Sequence, residues 1–89
     1  MIHMNLVGGS YRKCIGKDCA VLPTIVFDIK GETRQSRYTI MILSCSQHET
    51  EAQTLRTEKY ASFPYQRLEN PKWLKGAQES ELARKKETL

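Results

Sequence analysis

Four residues constrain this chain most: Cys14, Cys19, Cys45 and His48. Ile15-Gly16-Lys17-Asp18 separates the first two, and Ser46-Gln47 separates the last two. Both gaps suit a tight turn that offers two ligands to one zinc ion. Between the pairs, two stretches alternate. Residues 24–30 put Ile25, Phe27 and Ile29 on one face, and residues 37–43 put Tyr38, Ile40 and Ile42 on one face. The polar run between them, opened by Gly31, predicts a hairpin turn. Residue 32 lies midway between Cys19 and Cys45, so a chain folded there returns the second pair to the first. The expected register sets Phe27 opposite Tyr38 and Ile25 opposite Ile40, with the turn near residues 32–33.

Size favours a staple. With 89 residues, 39% apolar and only 8% aromatic, the chain has little core to set against its conformational entropy. Scaffolds this small rely on metal, disulfides or a partner chain. Three cysteines cannot form a closed disulfide framework. The start of the chain has no charged segment followed by an apolar run, and no stretch nears the ~18 apolar residues of a membrane span. A cytoplasmic, reducing setting and no membrane contact are therefore expected, and there clustered cysteines hold metal more often than they cross-link.

Three other readings of the cysteines remain: idle thiols beside a surface histidine, a Cys14–Cys19 disulfide, and an iron–sulfur cluster. The histidine and the hairpin spacing favour zinc over the last. Zn²⁺ with three thiolates and a neutral imidazole carries net −1, which Arg12, Lys13 and Lys17 can offset while lowering the thiol pKa values. Gly16 is expected to supply a positive φ in the first turn. Such an ion contributes on the order of ~10 kcal/mol to folding if it behaves as in zinc-finger peptides.

Catalysis finds less support. Cys45 and His48 resemble a nucleophile and its base, but no third residue orients them and two cysteines would lack a role. Four protein ligands leave a zinc ion no open position. His48-Glu49 is not followed by the second histidine of a metalloprotease helix. The expectation is a chain that is not an enzyme and takes no small-molecule substrate.

The order Cys-x4-Cys, strand, polar turn, strand, Leu43-Ser44-Cys45-Ser46-Gln47-His48 and helix resembles small bacterial and phage zinc-ribbon-like proteins over residues 11–60. In that pattern the closing Leu-Cys-x-x-His pair precedes a helix. Here Ser44 separates the leucine from the cysteine. The resemblance implies a zinc fold and leaves function open.

Other elements follow from local pattern. A short strand is expected at residues 5–7. A helix is expected over 49–60, with Glu49 and Glu51 in its first turn and Ala52 and Leu55 turned to the hairpin. Residues 62–71, punctuated by Pro64 and Pro71, read as irregular or extended. A second helix is expected from Pro71, capped by Asn70 and interrupted by Gly76. The class is α+β: a zinc-stapled hairpin with a helix over residues 1–62, then a C-terminal helical extension over 63–89 that packs on it or serves interaction.

Partners are less constrained. The formal charge is +4, with six basic and three acidic residues in 1–48 against eight and seven in 49–89. Arg12, Lys13, Lys17, Arg34 and Arg37 are the candidates for nucleic-acid contact, with ordinary solvated charge as the alternative. Phe63, Tyr65 and Trp73 either wrap over the hairpin face or anchor a protein partner or a second copy of the chain.

Overall fold

The two alternating stretches pair as a hairpin, and the rest of the chain is built around it. The computed structural model describes the backbone of residues 2–87 and the side chains of residues 5–84. The hairpin strands are β2 (Ile25–Glu32) and β3 (Arg37–Ser44), flanked by β1 (Ile2–Leu6) and β4 (Tyr65–Glu69). The sheet order is β1-β3-β2-β4, with β1 parallel to β3 and β2 antiparallel to both its neighbours. A single 3-10 turn, Ser46–His48, leads into α1 (Glu49–Tyr60), and α2 (Lys72–Glu87) follows β4. The class is α+β, as expected.

Strand alternation gives each face of the sheet its own helix. Ile25, Phe27, Ile29, Ile40 and Ile42 form one buried layer with Ala52 of α1, and Leu55 packs against it. Val26 and Leu43 form the opposite layer with Leu74 of α2, joined by Leu6, Met41 and Leu68. Helix α1 starts and ends as expected. Its apolar stripe is thin, so its stability comes from seating Ala52 and Leu55 on the sheet.

The hairpin register differs from expectation. Phe27 faces Ile42, Ile29 faces Ile40, and Gly31 faces Tyr38. The turn lies at Thr33 to Ser36, where the Thr33 N–H donates to Ser36 O at 2.8 Å and the Ser36 N–H donates to Thr33 Oγ1 at 3.1 Å. Gly31 does not open the turn. It lies inside β2 opposite Tyr38, whose ring crosses its backbone where a Cβ would collide with it. The slip is four residues, an even number, so the expected face survives the wrong partners.

Other boundaries shift too. Strand β1 begins at Ile2 rather than residue 5, since pairing to β3 fixes its length. Residues 65–69 add β4 to the sheet, with Tyr65 opposite Ile29 and Leu68 opposite Val26. Asn70 does not cap α2. It adopts φ 50° and donates its N–H to Thr24 O at 2.7 Å, tying the end of β4 to the start of β2. Gly76 does not interrupt α2, which runs unbroken through it. Glycine costs a helix interior about 1 kcal/mol relative to alanine, too little to end a helix seated through Leu74.

This topology gathers the ends of β1, β3 and β4 and the starts of β2 and α1 at one end of the sheet. Two substitutions probe the packing with opposite signs. Phe27→Ala, in the fully buried layer, is expected to destabilise by about 3–5 kcal/mol. Gly76→Ala meets only open space and is expected to stabilise by about 1 kcal/mol. Urea unfolding followed by circular dichroism measures both.

Candidate metal centre

The four residues singled out by spacing meet at that end of the sheet. Their donor atoms all lie within 4.8 Å of one another. Cys14 and Cys45 are buried, and Cys19 and His48 are partly exposed. Cys45 directly follows β3, and His48 closes the 3-10 turn before α1. All three cysteines are free thiols.

The loop between β1 and β2 brings in the other pair. Its Ile15 N–H donates to Leu43 O at 2.9 Å, which lays Cys14 beside the end of β3. The Cys14 sulfur accepts the N–H groups of Gly16 and Cys45, each at 3.3 Å. Each ligand pair also closes its own turn, with the Cys19 N–H donating to Gly16 O and the His48 N–H to Cys45 O. The hairpin axis falls between residues 34 and 35, not at residue 32. Cys19 therefore reaches Cys45 by the fold-back of this loop, not along the strand ladder.

The separations suit a four-coordinate ion. Cys14 Sγ and Cys45 Sγ are 3.7 Å apart, Cys19 Sγ and Cys45 Sγ 3.8 Å, and Cys14 Sγ and His48 Nδ1 3.7 Å. A tetrahedron with metal–sulfur bonds of ~2.3 Å has edges of about 3.8 Å. One edge, Cys45 Sγ to His48 Nδ1, is shorter at 3.1 Å. Three cysteines and a histidine so arranged could hold a metal ion.

Gly16 suits its position for a reason the spacing does not reveal. It has no positive φ; in this turn the left-handed residue is Asp18, at φ 56°. The His48 ring occupies the space a side chain would need, since a Cβ on Gly16 would lie 2.6 Å from Cδ2 and 2.7 Å from Nδ1. The glycine lets the imidazole lie flat against the first ligand turn and point Nδ1 at the sulfurs.

Electrostatics within the cluster is uneven. Burial opposes ionisation of Cys45, but hydrogen bonds from His48 and the Gln47 N–H, with help from the other thiols, outweigh it and lower its pKa to about 6. The Val21 N–H favours the Cys19 thiolate, but burial and contact with Cys14 and Cys45 prevail and raise its pKa. His48 is raised by its hydrogen bond to Cys45. Crowded sulfurs of this kind cannot all ionise unless a cation sits among them. Beside the site, Arg67 of β4 grips Glu49, at 2.6 and 2.8 Å, and holds its carboxyl below the usual range. That pair secures the first residue of α1, next to His48.

The other expected site residues do not form single clusters. Arg12, Lys13 and Lys17 lie on the ligand loop. Arg34 lies in the hairpin turn at the opposite end of the sheet, and Arg37 at the start of β3 pairs with Glu32 at 3.4 Å. Two eight-residue strands separate these groups, a span of roughly 25 Å. Phe63 packs against the buried layer of Ile25, Phe27, Ile29, Ile40 and Ile42, its ring edge-on to Tyr38 and stacked on Tyr60. Tyr65 lies on the same sheet face near Phe27, covered by Arg56 at 3.8 Å. Trp73 is on the other side of the sheet, 41% exposed and edge-on to Tyr11. Sequence reasoning overlooked Gln78 and Glu81, whose side chains brace the ligand loop. The available signal was a polar residue at each helical repeat after Leu74, where a packed helix carries apolar ones.

Searches of protein-family models, curated proteins and solved structures find no match to this chain.

Two outcomes test the geometry. Gly16→Ala is expected to weaken metal binding by roughly 10-fold or more by displacing the His48 ring, as loss of a ligand's orienting contact does. Competition with a chromophoric chelator measures it. In the metal-free protein Cys45 is a thiolate above about pH 6 and protonated below. Metal must then displace one further proton, so affinity, already falling with pH, steepens by about tenfold per pH unit below that point. The same competition, run across pH, follows the slope.

Proposed function

We propose that this chain is a binding module, not an enzyme, held by one structural zinc ion, and that its metal-bearing end contacts nucleic acid. The observation that carries the metal reading is the convergence of three sulfurs and one imidazole nitrogen, all within 4.8 Å of one another. Thiolates with imidazole favour zinc over magnesium or calcium, which prefer oxygen. Four protein donors fill the coordination sphere and leave no position for substrate water. Cys45 is 3% exposed, so a nucleophilic role has no access to substrate. The Cys-x4-Cys, hairpin, Cys-x2-His order supports a zinc-ribbon-like lineage.

The nucleic-acid reading draws support from Arg12, Lys13 and Lys17 on the ligand loop and from exposed Lys72 and Lys75 at the same end of the molecule. These five positive side chains are the cations that end offers to phosphate; Asp18, Glu49, Glu51, Glu69 and Glu81 lie among them, so the support is their placement and not a net charge excess. Arg34 and Arg37 are outside this surface. A protein partner is the second reading, favoured by Val21 and Leu22, which are exposed on the loop after Cys19, and by Trp73.

Titrating a mixed single-stranded oligonucleotide against salt distinguishes the two readings. The nucleic-acid reading expects binding at low salt that weakens steeply as salt rises, and a shallower slope for Lys13→Ala/Lys17→Ala. No binding at low salt refutes it.

A further inference from the structure

The loop that supplies Cys14 and Cys19 is gripped on both limbs by α2. Gln78, only 7% exposed, directs its side-chain nitrogen at two main-chain oxygens, Tyr11 O and Pro23 O, each at 3.0 Å. Carbonyl oxygens only accept, so the group between them is the amide NH₂, with one hydrogen for each. Tyr11 precedes the first ligand and Pro23 follows the second, so a single side chain spans the neck of the loop. One turn further along α2, Glu81 accepts from the Ser10 hydroxyl at 3.0 Å and the Tyr11 N–H at 3.1 Å. Trp73, five residues before Gln78, lies against the Tyr11 ring.

Leu74, Gln78 and Glu81 recur at i, i+4 and i+7 and share one face of the helix. Leu74 seats that face on Val26 and Leu43. A helix that only covered the sheet would carry apolar residues along this stripe. Helix α2 spends two of its inward positions on polar groups that hold the ligand loop.

We propose that α2 is a clamp that sets the width of the metal-binding loop, with Gln78 and Glu81 as positioning residues for the ion held by Cys14, Cys19, Cys45 and His48. The inference rests on the metal reading of that cluster. The inner side of the loop is already fixed to β3 through Ile15 and Cys45, so α2 controls the neck. Coupling of this kind is reciprocal. Whatever the seated helix adds to metal affinity, bound metal adds to the seating of the helix. Loss of the ion frees the loop, deprives Gln78 of a fixed pair of acceptors and loosens α2.

The test uses the full-length chain, zinc and a chromophoric chelator. Gln78→Met keeps the side chain's approximate size and removes its donors. It is expected to lower zinc affinity roughly 10-fold, as loss of outer-shell support does, while Glu79→Ala on the exposed side of α2 leaves affinity unchanged. Trp73, the chain's only tryptophan, reports on helix seating. Its emission should shift to the red as zinc is withdrawn, with the same midpoint as zinc loss. If Gln78→Met does not fold, Glu81→Gln carries the same comparison with a gentler change. Zinc binding indifferent to both substitutions, or Trp73 emission blind to zinc, overturns the clamp alone. A wild-type chain that takes up no zinc overturns the metal reading beneath it.

Discussion

The structure depends on a convergence of four donor atoms at one end of a small sheet. Cys45 and His48 are delivered by the joint between a central strand and the first helix. Cys14 and Cys19 arrive on a long loop with no regular structure of its own. A loop of that length is entropically costly to fix, and hydrogen bonds through Ile15 and Gln78 would recover only part of that cost. A cation shared by both segments would turn an open loop into a closed one and remove the repulsion between crowded sulfurs. The same end of the sheet receives the first residues of α1, so the ion site, the hairpin base and the helix entry form one unit.

Local pattern made much of this legible. The apolar alternation of Ile25, Phe27, Ile29, Ile40 and Ile42 marked the buried face correctly, and the acidic start of α1 marked its first residue. The ligand spacings marked all four donors. These signals are short-range: two-residue periodicity, a helix terminus and a pair of tight turns, each complete within a few residues of sequence. The set of donors was legible, although the route by which Cys19 reaches Cys45 was not.

What escaped the sequence depends on contacts between distant residues. Gly31 reads locally as a turn opener, but it pairs with Tyr38 inside β2 with the Tyr38 ring lying over it, and the strand pairing slips by four positions. Gly16 reads as a left-handed residue, but its role is to leave room for the His48 ring. Residues 65–69 have no clean alternation, and they form a strand because β2 offers them an open edge. Gln78 and Glu81 look like solvent-facing helix residues until the ligand loop lies against them. In each case the deciding partner lies far away in sequence, and no local propensity encodes it.

X-ray absorption at the zinc edge, on protein purified without added metal, reads directly what surrounds an ion held by Cys14, Cys19, Cys45 and His48. Three sulfurs at ~2.3 Å and one nitrogen at ~2.0 Å are expected around the zinc. A first shell made mainly of oxygen, or metal far below one ion per chain, would contradict this.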